Sequence, residues 1–420
     1  MNKTCRLTMT AMAALLTLGS SAFAANVTLK WALWDWDKTP YYQPLIAAYE
    51  AKHPDVTIKY VDLGSTDYQT MLSTQLTGGA DDLDVVTVKD TPGYTTLVRA
   101  NQLAPLNDYM AANGIKAEDY QGIVEQMTVD GKVYALPFRD DFWVTYYNKD
   151  LFDKAGVPYP TNDMTLAQFD DLAAKLTSGF GANKTYGALF HIWRSTVQLY
   201  GILDGKHTII DGKYEFLKPY YERVLKLQKE GAVPSYAQLK TSNTHYSGPF
   251  FNSTIAMLPM GTWFIGTQIA KVKTGESLAK NWGIVKYPHP ADVPAGTTLA
   301  TLTSLAVNAK SSHEEDALDF VKFVTGPEGA QIIAKTGNLP AINDPTAIST
   351  VAAQDGFPTD ENSKEALQTT KAYLEMPVTT KSAEIEVILN RVHDAIMTDN
   401  ESVDDGIAEM DRQVQEILEH

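Results

Sequence analysis

Three short apolar segments near the start of the chain alternate with segments of helical spacing, and this order constrains the fold most. The extended segments cover 27–33, 56–60 and 84–88, and the helical ones cover 41–52 and 69–76. Strands that alternate with helices form a parallel sheet with helices packed on its faces. The sequence therefore predicts an α/β fold with a mainly parallel sheet.

Polar and aromatic side chains directly follow each predicted strand. Ligands of doubly wound sheets bind beyond the carboxyl ends of the strands, so these residues are the first candidates for a binding site. The candidates are Trp34, Asp35, Trp36, Lys38, Ser65, Asp90 and Thr91. Alternatives stay open, since the tryptophans could belong to the core, and Ser65 and Asp90 could cap the helices that follow.

A second candidate region covers 131–153, where charged residues stand between aromatic ones. We predict two extended segments here, separated by the charged residues. Charges among aromatic side chains are costly to bury unless a partner compensates them. Arg139 could pair with Asp140 or Asp141, or contact an anionic group of a ligand, and the region could also be a solvated hairpin. Arg139, Asp141 and Trp143 are candidates for the site.

Several blocks of the sequence resemble one known protein family. The blocks GKVYALP, YYNKDLF, AGVPYP and MTLAQFDDLAAKL occur in this order, and FFNSTIAMLPMGTW follows later. They are similar to the extracellular solute-binding proteins of sugar ABC importers, the maltose-binding-protein-like family. The chain departs from the family pattern at Met164, where many members have tryptophan, and at Ser253, where glycine is usual.

The resemblance implies a two-lobed periplasmic-binding-protein fold, type II-like, with a ligand cleft between the lobes. The implied N-terminal lobe comprises 25–138 plus 289–340, and the C-terminal lobe comprises 139–288 plus 341–420. The chain would then cross between the lobes near 139, 289 and 341. The resemblance also places Trp34, Asp35, Trp36, Lys38, Asp90 and Thr91 in loops that line a sugar cleft, and an acidic group at the position of Asp141.

Later parts of the chain supply further candidates for a carbohydrate site, which needs flat apolar faces and hydrogen-bonding groups. Trp193 lies in an aromatic segment, and Trp263 follows a predicted strand that ends at Gly261. Glycine there allows close approach of the backbone to a ligand. Trp263 could instead be a core residue. Thr298 is a hydroxyl candidate in a segment that is usually rich in glycine in the family.

The first 24 residues have the layout of a secretory signal, with a basic start, an apolar core and a cleavage site before Ala25. Cys5 is the only cysteine and lacks the context of a lipoprotein site, so we expect no lipid anchor and a location in the periplasm. The mature chain then has no cysteine, which excludes disulfides, thiol catalysis and cysteine-based metal sites.

Charge and motifs narrow the function. The formal net charge of −16 disfavours binding to nucleic acid and to anionic membranes. The motifs G-x-S-x-G and H-E-x-x-H and the P-loop do not occur, and the eight histidines are scattered. Together with these features, the family resemblance predicts a monomeric binding protein, not an enzyme, that needs no cofactor or metal and delivers a mono- or oligosaccharide to an ABC transporter permease.

Two other functions stay open. A secreted glycan-degrading hydrolase needs only two suitably placed carboxylates, and these are plentiful. A binding protein for a non-sugar solute, such as a polyamine or a metal, is the other alternative. The sequence leaves the identity, the linkage, the length and the charge of the ligand open.

Overall fold

The structure is a computed structural model that describes residues 27–79, 83–120, 122–369 and 371–420. The predicted signal segment, 1–24, lies outside the described residues. The strands are β1 (Val27–Leu33), β2 (Val56–Asp62), β3 (Val85–Val88), β4 (Leu136–Asn148), β5 (Tyr186–Ala188), β6 (Ile255–Gly261), β7 (Trp282–Lys286), β8 (Thr297–Val307) and β9 (Lys371–Leu374).

Helices connect and cover these strands. They are α1 (Tyr42–Lys52), α2 (Tyr68–Thr77), α3 (Thr91–Arg99), α4 (Asn107–Asn113), α5 (Ile123–Gln126), α6 (Lys149–Ala155), α7 (Leu166–Leu176), α8 (Ser195–Gln198), α9 (Lys218–Lys229), α10 (Tyr236–Thr241), α11 (Ser247–Phe251), α12 (Phe264–Thr274), α13 (Glu314–Thr325), α14 (Pro327–Lys335), α15 (Ala347–Ala352), α16 (Glu361–Glu365), α17 (Ser382–Met397) and α18 (Val403–Glu419). Short 3₁₀ turns occur at Trp36–Lys38, Ala117–Tyr120, Gly181–Asn183, Leu199–Ile202 and Glu215–Leu217. Within the described residues, no helix has the length and hydropathy required to cross a bilayer.

Local sequence explains where several of these helices begin. The side chain of Asn148 accepts a hydrogen bond from the Leu151 amide at the start of α6. Thr165 and Gln168 form a reciprocal capping box at the start of α7. Such caps satisfy amides that have no partner inside the helix. The two helices are therefore fixed to the ends of the segments that precede them.

The sheet has the order β2-β1-β3-β8-β4-β6-β5, with β7 paired to β4 and β9 paired to β8. Strands β2, β1 and β3 are parallel, and β8 runs antiparallel to β3. In the other half β5 and β6 are parallel, while β4 is antiparallel to β6 and β7. The reversed strand in each half is the one that arrives from the opposite half. The α/β fold with mainly parallel halves is confirmed.

Strand β4 passes from one half of the molecule to the other. Its first part, 136–142, pairs with β8, and its second part, 143–148, pairs with β6 and β7. The expectation of two separate extended segments is wrong, because the chain continues through the charged residues as one strand. The register is irregular only between Pro137 and Arg139, where a missing proline amide is tolerated.

The hydrophobic clusters follow the same division. Phe138 and Leu302 belong to one cluster, whereas Trp143, Val293 and Leu299 belong to another. This packing favours a second crossing inside β8, later than the predicted position 289. A third passage is marked by the bridge between Arg139 and Pro340. The lobe boundaries given above stay a prediction, and these packing data favour a shift of the second one.

Candidate ligand-binding cleft

A cavity of about 870 Å³ lies where β4 and β8 cross between the two halves. Its wall combines residues that follow strands of the first half with aromatic residues of the second half. Ten of the predicted site residues line it: Trp34, Asp35, Lys38, Ser65, Asp90, Thr91, Arg139, Trp143, Trp193 and Trp263. The fold therefore brings together candidates that are far apart in the sequence, while their contact with a ligand stays a prediction.

Three predicted site residues do not line the cavity in this structure, and their contact with a ligand stays a prediction. Trp36 stacks on Tyr60 with the ring centroids 3.7 Å apart and does not line the cavity. Asp141 is fully buried behind the wall. Thr298 is also buried, and its Oγ1 donates a hydrogen bond of 2.6 Å to the carbonyl of Trp143. Each of these side chains is used by a protein contact.

The structure decides between the partners proposed for Arg139. Its guanidinium lies 3.1 Å from Asp141 Oδ2, with 7% and 0% of the two side chains exposed. Nη2 also donates to Thr303 Oγ1 at 3.1 Å, and Asp141 Oδ1 accepts from Thr262 Oγ1 at 3.0 Å. Burial alone would lower the pKa of Arg139, but the negative charge of Asp141 raises it. This buried ion pair supports the cleft floor where β4 crosses.

Aromatic rings form one side of the cleft. Trp263 packs edge-on against Trp143 with centroids 5.6 Å apart and lies 6.3 Å from Trp193, which in turn lies 5.7 Å from Tyr246. Trp143 is almost fully buried, and its Nε1 donates to Glu375 Oε1. Trp193 and Trp263 are only partly buried. These two rings therefore present apolar surface to the cavity.

Gly261 serves this aromatic wall in a different way than expected. A Cβ atom at Gly261 would lie 2.0 Å from the Trp263 ring, so the indole of Trp263 occupies the space that a ligand was expected to approach. The absence of a side chain at Gly261 allows the indole to lie against the backbone of β6. The sequence predicted a close approach to the backbone at Gly261, and in this structure the approaching group is the indole of Trp263.

Replacing Gly261 by Ala should displace the Trp263 indole, because the new methyl group overlaps a rigid ring. We expect a loss of about 1–3 kcal/mol in the free energy of unfolding, as for other overpacked sites. Near-ultraviolet circular dichroism should report the altered tryptophan environment. Gly248→Ala is the matched control, since a Cβ atom there meets nothing within 4 Å. Equal spectra for the two variants would contradict the packing described here.

Polar contacts connect the two rims of the cleft. Asp35, with a left-handed backbone (φ 52°), pairs with Lys38 Nζ at 2.8 Å and lies 3.5 Å from His245 Nε2 of the other half. Burial alone would raise the pKa of the Asp35 carboxyl, but the nearby His245 and the hydrogen bond from Lys38 hold it well below its usual range. Thr267 Oγ1 also donates to the Lys38 carbonyl at 2.8 Å. The halves are therefore in direct contact at this rim.

Residues that the sequence did not single out for the site also line the cavity. They include Tyr246, Asn338, Glu375, Glu386 and Arg194. Arg194 Nε donates to Glu386 Oε2 at 2.8 Å, across 192 residues of sequence. The block Glu375-Met376-Pro377 is similar to a feature of the family named above, and this resemblance is a signal for Glu375 in the sequence. Among the described residues, no cluster of three His, Cys, Asp or Glu is arranged to hold a metal ion.

A family model described as bacterial extracellular solute-binding protein matches residues 35–331 of this sequence. The matched range includes the loop after β1, both crossing strands and the aromatic wall. It excludes α17 and the segment around Glu375.

Individual proteins are similar over most of the chain. The lactose-binding protein of Rhizobium radiobacter is 26% identical over 355 residues, 77% of this chain and 79% of that protein. The sn-glycerol-3-phosphate-binding periplasmic protein of Escherichia coli O1:K1 is 26% identical over 368 residues, 80% of this chain and 79% of that protein. The crystal structure of a sugar transporter from Rhizobium etli, in an open conformation, is 66% identical with a TM-score of 0.74, and covers 93% of this chain and 99% of that one.

Proposed function

Because the chain belongs to the bacterial extracellular solute-binding proteins, we propose that it captures a mono- or oligosaccharide outside the cytoplasm and delivers it to an ABC transporter. The observation that carries this proposal is the composition of the cleft wall. Trp143, Trp193 and Trp263 come from one half, and carboxylates, hydroxyls and two lysines follow strands of the other half. The periplasmic location, the monomeric state and the contact with permease subunits are part of the proposal.

The wall suits the chemistry of a sugar ring. A pyranose has an apolar C–H face and an edge of hydroxyl groups. Trp193 and Trp263 offer flat surfaces for the first, and Asp90 and Glu375 offer acceptors for the second. Stacking contributes roughly 0.5–1.5 kcal/mol per ring pair beyond the buried area, and a hydrogen bond to a charged group about 1.5–3 kcal/mol. Micromolar affinity corresponds to about 8.2 kcal/mol, so it requires several such contacts together with the burial of apolar area.

Closure of the two lobes around the ligand is the mechanism we infer. A ligand that contacts both walls binds more tightly when the walls are close together, so it favours the closed state. At 66% identity each lobe should keep nearly the same fold as in the open R. etli protein. The TM-score of 0.74 over 93% of the chain therefore supports a different arrangement of the lobes. The crossing strands β4 and β8 are the natural hinge.

Two alternatives remain for experiment. The family is one of solute-binding proteins, which argues against the glycan-degrading hydrolase. The similarity to a glycerol-3-phosphate-binding protein keeps a non-sugar solute as the second candidate.

A thermal-shift screen of the protein without residues 1–24, against neutral and acidic mono- and oligosaccharides and sn-glycerol-3-phosphate, tests the proposal. A ligand at a hundredfold excess over Kd stabilises the native state by about 2.7 kcal/mol. We expect a large shift with one group of related sugars, and recovery of that sugar unchanged. Consumption of the sugar would establish a hydrolase instead, and a shift with only the phosphate would establish a non-sugar binder.

Trp263→Ala should weaken binding of the sugar found in that screen by about tenfold to a hundredfold. The variant loses one stacking face and part of the apolar area that the ligand covers. Titration calorimetry measures the change in Kd. Trp36→Ala is the matched control, because Trp36 packs on Tyr60 outside the cavity wall. Its affinity should stay within a factor of two or so of the wild type, even though the variant loses stability. Equal losses of affinity in both variants would contradict a stacking role for Trp263.

A further inference from the structure

The charges of the cleft wall carry an inference about the ligand's own charge, and it rests on the proposed sugar-binding function. Four basic side chains line the cavity: Lys38, Lys89, Arg139 and Arg194. Three of them already have carboxylate partners at 2.8–3.1 Å, namely Asp35 for Lys38, Asp141 for Arg139 and Glu386 for Arg194. An anionic group of a ligand would have to compete with these internal partners.

The fourth basic residue, Lys89, is also committed to the protein. Its Nζ donates to the carbonyl of Ser65 and lies 5.4 Å from the centre of the Trp34 ring. Burial lowers the pKa of Lys89, whereas the negative charges of nearby Asp90 and Asp35 raise it. This ammonium group therefore already has a hydrogen-bond acceptor and negative charges nearby.

Two carboxylates of the wall, one from each half, can still accept hydrogen bonds from a ligand. Asp90 Oδ1 accepts from the Gly93 amide at 2.8 Å and from Gln69 Nε2 at 3.3 Å, and Glu375 accepts from Trp143 Nε1. In the part of the chain that the structure describes, neither forms an ion pair with a basic side chain. Both keep lone pairs for further donors. Burial raises the pKa of Asp90 and raises that of Glu375 to about 7, although Arg194 attracts both carboxylates and Lys89 attracts Asp90.

Five acidic side chains line the cavity against four basic ones, and Asp141 lies directly behind Arg139. A carboxylate or phosphate on the ligand would meet a surface on which three of the four cations are paired with carboxylates and Lys89 lies near Asp90 and Asp35, and juxtaposition of like charges is unfavourable. Hydroxyl groups, in contrast, donate hydrogen bonds to the open lone pairs of Asp90 and Glu375. We propose that the cleft selects sugars without an acidic group, with ligand hydroxyls donating to Asp90 and Glu375 from opposite walls.

Matched sugars that differ only in charge test this inference. The probes are glucose, glucosamine and glucuronate, the same trio in the galacto and manno series, and disaccharides that carry one of these rings at the non-reducing end. At pH 8 we expect the neutral member of the series that binds to have a Kd at least about tenfold lower than its uronate. A uronate that binds as tightly as the neutral sugar overturns the inference and leaves the sugar-binding function intact. Failure of every sugar, neutral ones included, overturns the function and the inference together.

Removing single charges shows whether the discrimination is local. Glu386→Gln releases Arg194 from its partner and should reduce the ratio of the uronate Kd to the neutral-sugar Kd by about tenfold. The control is Glu384→Gln on the same helix α17, because Glu384 pairs with Arg99 and does not line the cavity. Both variants remove one negative charge from the protein, but only Glu386→Gln removes it from the cleft wall. The ratio of the two dissociation constants should therefore stay unchanged in the control.

Asp90→Asn provides a second variant in case Glu386→Gln folds poorly with Arg194 unpaired. Asparagine is as good an N-cap as aspartate, so the start of α3 should persist. The ratio of the two dissociation constants should again fall by about tenfold, since one negative charge leaves the wall. A ratio that is unchanged in both cleft variants, or that changes equally in Glu384→Gln, overturns the assignment of selectivity to these carboxylates.

Discussion

Replacing Asp141 by Asn is expected to lower the free energy of unfolding by about 3–5 kcal/mol, because it leaves the Arg139 guanidinium buried without its counter-charge. The two side chains are 0% and 7% exposed and 3.1 Å apart. Thr303 Oγ1 would remain as an acceptor for Arg139, but a hydroxyl does not neutralise a buried cation. Denaturant unfolding of the ligand-free protein measures the change.

Two comparisons separate this effect from the loss of an ordinary ion pair. Glu361→Gln makes the same carboxylate-to-amide change in a pair with Lys364 at 2.7 Å, where Glu361 is 81% exposed. Such exposed pairs contribute about 0–1 kcal/mol. The double variant Arg139→Met with Asp141→Leu removes both buried charges and should recover part of the loss. A change below about 1 kcal/mol in Asp141→Asn would contradict the structural role assigned to the pair.

Arg139 and Asp141 lie where two connections between the lobes meet, so we expect their substitution to affect lobe closure as well as stability. The Asp140 amide donates to the Leu339 carbonyl and the Ala341 amide donates to the Phe138 carbonyl, so β4 and the third passage meet at this point. A misplaced Arg139 would disturb both connections between the lobes.

Much of the first half could be predicted because its information is local. Strand β1 was predicted with the observed bounds, Val27–Leu33, since its apolar run is followed at once by polar and aromatic residues. Because ligands of doubly wound sheets bind beyond the carboxyl ends of the strands, the rule then predicted that Ser65, Asp90 and Thr91 lie at the cleft, and they line the cavity. That rule depends only on the order of strands and helices along the chain, which a sequence shows directly.

The errors have a different origin, since they depend on tertiary packing. Trp36 shares the alternating pattern of Trp34, but its ring stacks on Tyr60 of β2. Asp141 was a candidate for the site, whereas the structure pairs it with the buried guanidinium of Arg139. The ring partner of Trp36 is remote in sequence, and Arg139 has two carboxylates, Asp140 and Asp141, close to it in sequence. The periodicity of the sequence does not show which contact forms.

Helix α17 shows the limit of sequence reasoning most clearly. It lies near the end of the chain, yet Glu386 on this helix reaches Arg194 and lines the cleft together with Asn390. Its amphipathic pattern indicates a helix with one buried face, and nothing in that pattern indicates which cavity the other face meets. Only the packed structure supplies that information.

Glu375→Gln is expected to make the ligand-free protein more stable than the wild type at pH 8, by about 3 kcal/mol, with the difference vanishing near pH 4. Burial raises the pKa of Glu375 from 4.5 to about 7, so the folded state binds a proton that the unfolded state has already lost. The stability associated with this proton is complete below pH 4.5 and is lost as the pH rises through 7. Glutamine is neutral at every pH and removes this dependence.

Urea unfolding of both proteins between pH 4 and 8.5 measures the difference. Burial and the neighbouring Asp141 also raise the pKa of Asp140 to about 7, so the wild-type curve alone does not isolate Glu375. The difference between the wild-type and Glu375→Gln curves of unfolding free energy against pH isolates the contribution of Glu375. The exposed control Glu361→Gln should show no such trend. A Glu375 variant that is less stable than the wild type at pH 8 would mean that the carboxylate has a favourable partner in the protein.

Ligand binding should reverse the shift of Glu375. Hydroxyl donors favour the charged form of a carboxyl group and lower its pKa, so a neutral sugar that contacts Glu375 should release protons on binding near pH 7. Calorimetric titrations in buffers of different ionisation enthalpy count these protons. The release should be absent in Glu375→Gln and retained in Glu384→Gln. Proton uptake by the wild type would contradict the contact, because it would mean that the ligand binds the protonated carboxyl or raises its pKa further.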